Sequence, residues 1–106
     1  MNIVVVGLGV IGGSFAMALK EASYQQVYGI DTNKQTLEKA KQMGLIKDGS
    51  VTGELFLKQA DLIILSIYPK LVKSFIQSNR DNFKPGCVIT DATGVKGMFI
   101  NDILEI

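Results

Sequence analysis

The chain begins Met1-Asn-Ile-Val-Val-Val-Gly-Leu-Gly-Val-Ile-Gly-Gly-Ser14, and this stretch predicts the first elements of the fold. Residues 3–6 are β-branched throughout, which is typical of a central parallel strand covered on both faces. Three glycines follow at the spacing G-x-G-x-x-G, and a helical pattern starts near Val10. A strand, a glycine turn and a helix in this order indicate a dinucleotide-binding βαβ unit.

Each glycine of the motif has a separate expected role. Gly7 allows a tight turn, Gly9 lets the backbone approach a pyrophosphate, and Gly12 lets the helix lie close to the strands. The phosphates are expected at the helix N-terminus, where free N–H groups and the helix dipole favour anions. The chain has 11 glycines, so the motif alone also fits an ordinary glycine-rich turn. The predicted cofactor-binding residues here are Gly7, Leu8, Gly9, Val10, Ile11 and Gly12.

An acidic residue supports the dinucleotide interpretation. A second strand, Val27-Tyr-Gly-Ile-Asp31, ends in an aspartate nineteen residues after Gly12. An acid at this distance accepts hydrogen bonds from the adenosine ribose hydroxyls, and its charge repels a 2′-phosphate. We therefore expect NAD rather than NADP as cofactor. The alternative is that Asp31 is only a turn residue or a helix cap.

The rest of the chain alternates between helical and strand patterns. It predicts a Rossmann-type α/β fold, doubly wound around a mostly parallel sheet, as a single domain over residues 1–106. In the first helix, Ile11, Phe15, Ala18 and Leu19 are expected to face the sheet. Thr32 is the expected N-cap of the second helix, which Gly44 ends. Further elements are expected as a strand near 50–51, a helix at 54–59, a strand at 62–67, a helix from Pro69, a strand at 87–91 and a helix at 97–106. The inner, packing face of the helix from Pro69 is expected to consist of Leu71, Val72, Phe75 and Ile76.

Ligands in such sheets lie at the carboxyl ends of the strands. Ser66, Ile67 and Tyr68 lie at the carboxyl end of the fourth strand and are expected to line the cofactor cleft, although Tyr68 equally fits a packing role. Thr93 and Lys96 follow the fifth strand and are expected on the nicotinamide side. A loop-capping threonine and a solvated lysine are the alternatives for this pair.

Composition narrows the functional classes. The net charge is +1 with no basic stripe, so neither a nucleic-acid partner nor a membrane is expected. The single cysteine, Cys87, lies in an apolar run and is expected to be buried in a cytoplasmic protein. The chain contains no histidine, so any proton transfer must use another group or another segment. No metal site is expected.

Four motifs together resemble the nucleotide-binding half of prephenate dehydrogenases. They are Gly7–Ser14, Tyr28–Asp31, Ala60–Leu65 and Thr90–Lys96. The last of these motifs reads Thr-Asp-Ala-Thr-Gly-Val-Lys. The resemblance covers essentially the whole chain. It implies an NAD-dependent enzyme of tyrosine biosynthesis that oxidises and decarboxylates prephenate to 4-hydroxyphenylpyruvate.

The resemblance also implies what this segment lacks. The family's catalytic histidine belongs to a following strand, so the catalytic base is expected downstream of Ile106. The family's substrate-binding arginine and dimer-forming helices belong to a C-terminal helical domain. We therefore expect residues 1–106 to be a fragment that binds NAD but does not turn over prephenate. No catalytic residue is assigned here. Thr93 and Lys96 are candidates for the substrate side, and Thr93 is also a predicted cofactor-binding residue.

Three other functions remain open at this point. The chain also fits a stand-alone regulatory or vestigial module that binds NAD(H) or an adenine nucleotide. It equally fits the same domain of an arogenate dehydrogenase or, less well, of a hydroxy-acid dehydrogenase. Met98, Phe99 and Ile103 in the last predicted helix would be uncovered in such a fragment, so homodimer formation is a further expectation.

Overall fold

The computed structural model describes residues 1–91 and the backbone of residues 97–99. Helices and strands alternate along the chain from the first strand onward. The strands are β1 (Ile3–Val6), β2 (Val27–Ile30), β3 (Asp48–Ser50), β4 (Leu62–Leu65), β5 (Val88–Asp91) and β6 (Gly97–Phe99). The helices are α1 (Val10–Glu21), α2 (Lys34–Gln42), α3 (Glu54–Gln59) and α4 (Pro69–Ser78), with a 3₁₀ turn at Arg80–Asn82.

The strands form one sheet in the order β3-β2-β1-β4-β5-β6. The pairs among the first five strands are parallel, and β6 pairs antiparallel with β5. The strand order reverses between β1 and β4, so these two neighbours define the switch point of the sheet. The predicted doubly wound, mostly parallel sheet is confirmed.

Both faces of β1 are covered, as its unbroken apolar sequence predicts. Val4 and Val6 belong to a core that also contains Leu57 of α3 and Ile76 of α4. On the opposite face, Ile3 and Val5 pack in a second core with residues of α1 and α2. Each of the four β1 side chains is at most 4% exposed, which is why the strand carries no polar residue.

The orientation of α1 differs from the prediction. Ile11 and Phe15 were expected to face the sheet but are 46% and 38% exposed, and Ala18 is exposed as well. Gly12 and Ala16 are the buried residues of this helix. The helix lies so close to the sheet that small residues occupy the interface, and the large apolar side chains are turned outward. Leu19 packs against the core as expected.

Two other local predictions are wrong. The N-cap of α2 is Asn33, whose side chain accepts hydrogen bonds from the amides of Gln35 and Thr36; Thr32 precedes the cap. Residues 97–99 form a strand where a helix was expected, because the open edge of β5 offers unpaired backbone groups to a following segment. The rest of that predicted helix, through Ile106, lies outside the described residues.

The edge of the sheet opposite the carboxyl ends is held together by Asp61. Its carboxylate accepts a hydrogen bond from the Asn2 amide (2.7 Å) and another from the Lys84 ammonium. The Lys84 hydrogen bond is the main cause that lowers the pKa of Asp61 below its ordinary value, and the Asn2 amide adds to it. Cys87, just before β5, is buried as predicted, and burial raises the pKa of its thiol.

Within the part of the chain that the structure describes, no helix is long and apolar enough to cross a membrane.

Candidate cofactor site

A cleft of about 840 Å³ opens at the carboxyl ends of β1, β2 and β4. This is the switch point of the sheet, where open α/β folds bind their ligands. The glycine turn after β1 lines one side, and the segment after β4 lines another. Its lining contains the following predicted site residues: Gly7, Gly9, Val10, Ile11, Asp31, Ser66, Ile67 and Tyr68.

Gly7 makes the turn out of β1. It has φ of +88°, and its amide donates to the Ile30 carbonyl at 2.7 Å. A Cβ at this position would lie 2.3 Å from the Ser66 carbonyl oxygen. Both the backbone conformation and the space therefore require glycine here.

Gly9 is the N-cap of α1, and the N-terminus of this helix faces the cleft. No side chain caps α1, and its first turn carries no acidic residue. A Cβ built on Gly9 would meet no atom within 4 Å, although Gly9 lines the cleft. The first-turn N–H groups of α1 and the helix dipole are thus available to an anion that approaches this glycine.

Asp31 directly follows β2, and its carboxylate makes turn contacts with the backbone. Its Oδ2 accepts a hydrogen bond from the Leu8 amide at 2.8 Å, and its Oδ1 accepts one from the Asn33 amide at 2.9 Å. The residue is half-buried and lines the cleft. A carboxylate has about four acceptor positions, so these two backbone donors leave capacity for ribose hydroxyls.

Two residues predicted to bind the cofactor do not line the cleft themselves. The Leu8 side chain is 6% exposed and packs in the core on the α1 and α2 face, so Leu8 contributes its backbone to the turn. Gly12 lies on the buried face of α1, where the absence of a side chain lets the helix approach Gly7. Leu8 and Gly12 therefore position the glycine turn and α1 without lining the cleft themselves.

The segment after β4 forms a second wall. Ser66 donates its amide to the Val6 carbonyl at 2.7 Å, which extends the β1–β4 pairing to the edge of the cleft. Tyr68 is 73% exposed, so its ring faces solvent at the cleft and is not packed into the core. Pro69 then starts α4 at the first helical turn, as predicted.

Sequence reasoning missed a third part of the lining. These residues come from the loops after β2 and β3, the start of α3, and one face of α4 with its C-cap. They are Thr32, Val51, Thr52, Glu54, Ser74, Ser78 and Asn79. Leu71 and Phe75 were assigned to the inner face of α4, yet both also line the cleft. The spacing of residues 71, 74, 75 and 78 is the signal that marks one helix face, but their polarity is mixed and does not point to a ligand.

The charge of the lining is negative. Asp31 and Glu54 contribute carboxylates, and no Lys or Arg is present among the described residues that line the cleft. A bound phosphate would therefore depend on backbone N–H groups for its stabilisation.

The predictions for the substrate side fall on the last part of the chain. Thr93 and Lys96 lie outside the described residues, and so does Ile106, downstream of which the catalytic base is predicted. Their assignments stay predictions.

The profile of the prephenate dehydrogenase nucleotide-binding domain matches residues 15–106 of this chain. Among solved structures, the chain is similar to A. aeolicus prephenate dehydrogenase in complex with hydroxyphenyl propionate and NAD⁺. The TM-score is 0.82 and the sequence identity 28%, with 99% of this chain and 37% of that chain covered.

The chain is also similar to Synechocystis arogenate dehydrogenase. The TM-score is 0.79 at 30% identity, and the match covers 86% of this chain and 32% of that chain. This chain therefore spans about a third of the length of each of these two proteins. The predicted family resemblance is confirmed, and so is the prediction of a nucleotide-binding domain.

Proposed function

Because this chain belongs to the prephenate dehydrogenase nucleotide-binding domain family, we propose that it is the NAD-binding domain of such an enzyme. One observation carries this proposal: the uncapped N-terminus of α1, the open space at Gly9 and the Asp31 carboxylate share a single cleft. NAD supplies a hydride acceptor when it is bound. The residues described here would hold it and orient it.

Each part of the dinucleotide has a matching group in the cleft. The amides at the start of α1 would receive the pyrophosphate, and Gly9 leaves the space for it. The Asp31 carboxylate would accept hydrogen bonds from the adenosine ribose hydroxyls. Ser66 and Tyr68, at the end of β4, would line the path toward the nicotinamide.

The Asp31→Ala variant is expected to bind NAD about 10- to 150-fold more weakly, because hydrogen bonds to a charged group contribute about 1.5–3 kcal/mol. The wild-type chain is expected to bind NADP at least about 10-fold more weakly than NAD, because the 2′-phosphate would face Asp31 in an acidic cleft. Calorimetric titration of the wild type and the variant with both dinucleotides measures this. A change of less than twofold in NAD affinity would exclude Asp31 as a ribose ligand.

For the complete enzyme, the proposed reaction is the NAD-dependent oxidative decarboxylation of prephenate. The 106-residue chain contains no histidine, and no base or substrate-binding group is assigned among the described residues. We therefore expect the purified chain to bind NAD without producing NADH when prephenate is added. An increase in absorbance at the NADH wavelength that depends on both prephenate and the chain would contradict this.

Arogenate is the second candidate substrate. It is favoured by the similarity to an arogenate dehydrogenase at 30% identity, which is slightly higher than the 28% identity to the prephenate enzyme. The distinction depends on groups that contact the substrate, and none of these is assigned among the described residues. A stand-alone nucleotide-binding module remains the alternative from another functional class. Turnover of either substrate by a longer version of the protein would exclude that alternative.

A further inference from the structure

Asp31 connects three segments that meet at the cleft. It directly follows β2, its Oδ2 accepts a hydrogen bond from the Leu8 amide in the glycine turn, and its Oδ1 accepts one from the amide of Asn33, the N-cap of α2. The Leu8 amide lies between Gly7, which makes the turn, and Gly9, which is proposed to leave space for the pyrophosphate. The carboxylate therefore contacts the turn itself and not only the space where a ribose would lie.

The other contacts of the turn come from the same stretch of β2. The Gly7 amide donates to the Ile30 carbonyl at 2.7 Å. The Leu8 side chain packs where Gly29 has none, since a Cβ on Gly29 would lie 2.5 Å from Leu8 Cδ1. Residues 29–31 thus fix the position of residues 7 and 8 by one side-chain contact and two hydrogen bonds. Of the three, the bond to Asp31 alone has a charged acceptor, which makes it the stronger type of hydrogen bond.

We propose that Asp31 is a positioning residue for the glycine turn, and that the Asp31–Leu8 hydrogen bond holds the turn in the conformation that accepts a pyrophosphate. This inference rests on the proposed function, because it assigns the turn to phosphate binding. Gly7 and Gly9 allow many backbone conformations, so without the bond the turn occupies other states as well. Ligand affinity falls in proportion to the fraction of molecules in the competent state.

The direction in which pyrophosphate affinity changes when the Asp31 carboxylate is removed distinguishes this positioning role from ribose binding alone. Removing a carboxylate beside an anion site reduces repulsion, so a pure ribose ligand would leave pyrophosphate binding unchanged or make it tighter. A positioning residue gives the opposite result. Inorganic pyrophosphate is the appropriate probe because it has no ribose.

The test compares the wild-type chain with Asp31→Ala, Asp31→Asn and the control Asn33→Ala, using amide NMR. In the free protein, the Leu8 amide is expected to be protected from hydrogen exchange in the wild type and unprotected in Asp31→Ala. Titration with inorganic pyrophosphate is expected to show at least about threefold weaker binding for Asp31→Ala. Asp31→Asn retains one acceptor oxygen and is expected to lie between the two.

The Asn33→Ala control removes the side-chain cap of α2 but keeps the backbone amide that donates to Asp31. It is expected to lower the stability of α2 without changing Leu8 exchange or pyrophosphate affinity. Equal Leu8 exchange in the wild type and Asp31→Ala would overturn the proposal, as would unchanged or tighter pyrophosphate binding. The exchange measurement needs no ligand, so it tests the positioning role even if NAD does not bind. Failure of the wild type to bind NAD would instead contradict the proposed function.

Discussion

The Gly9→Val variant is expected to lose NAD binding while it keeps the thermal stability of the wild-type chain. Gly9 has φ of −70° and ψ of −157°, an extended conformation with negative φ that does not itself require glycine. A Cβ there would meet nothing within 4 Å, so valine causes no clash inside the protein. The open space lies in the cleft at the start of α1, and the valine side chain would occupy the proposed position of the pyrophosphate.

The expected loss of NAD affinity is about 100-fold or more, because overpacking a close contact costs about 1–3 kcal/mol and the side chain also covers the N–H groups of α1. Calorimetry with NAD and thermal unfolding of the same samples measure the two effects separately. Gly9→Ala adds a smaller side chain and is expected to give an intermediate loss. Adenosine, which has no phosphate, is expected to bind both variants as it binds the wild type. A Gly9→Val chain that binds NAD normally would exclude a phosphate site at this turn.

Much of the sheet could be predicted because its two central strands, β1 and β4, are continuous apolar runs. A four-residue run such as Ile3–Val6 has no polar face, and this pattern occurs where helices cover both sides. Five of the strands were expected at or near their observed positions, and α3 has the predicted bounds of Glu54–Gln59. The sixth strand was not expected, since its pairing depends on the free edge of β5, which local sequence does not reveal.

The face that α1 buries could not be predicted from polarity. Ile11 and Phe15 are more apolar than Gly12 and Ala16, and a count of apolar residues places the larger side chains inward. The observed interface depends on distance, because the backbone of the helix approaches Gly7 too closely for a large side chain. Polarity patterns describe which residues avoid water, but they do not give the separation between two elements.

The candidate site also has a part that could be predicted from the sequence and a part that could not. Its glycine turn and Asp31 were predicted because their spacing reflects the chemistry of a dinucleotide. The contacts of Asp31 with the Leu8 and Asn33 amides were not, since they depend on where two loops meet. The part of the lining from α4 was assigned to packing, because Leu71 and Phe75 are apolar whether they face a core or a cleft.

Two adjacent glycines of α1 offer a matched pair of alanine substitutions that are expected to change the stability of the fold in opposite directions. At Gly12, a Cβ would lie 1.8 Å from the Gly7 carbonyl oxygen and 2.9 Å from the carbonyl carbon. Both contacts are with backbone, in a turn that the positive φ of Gly7 already constrains. At Gly13, a Cβ would meet only the Leu8 carbonyl oxygen, at an ordinary distance of 3.9 Å.

Gly12→Ala is therefore expected to destabilise the fold by about 3 kcal/mol or more, since α1 must move away from β1. Gly13→Ala is expected to stabilise it by about 0.4–1 kcal/mol, because alanine loses less conformational entropy on folding than glycine. For a domain of this size, these values correspond to a Tm lower by about 12 °C or more and higher by a few degrees. Denaturant unfolding of both variants beside the wild type measures the difference.

The pair distinguishes close packing from a general requirement for glycine in α1. If glycine were needed only for flexibility near the cleft, both alanine variants would change stability in the same direction. If glycine is required because α1 approaches Gly7 closely, only the Gly12 substitution lowers stability. That substitution also displaces the turn that is proposed to bind the phosphates. Gly12→Ala is then expected to weaken NAD binding under conditions where the variant is still folded, whereas Gly13→Ala leaves the affinity unchanged. Equal stability of the two variants would contradict the close contact between α1 and the end of β1.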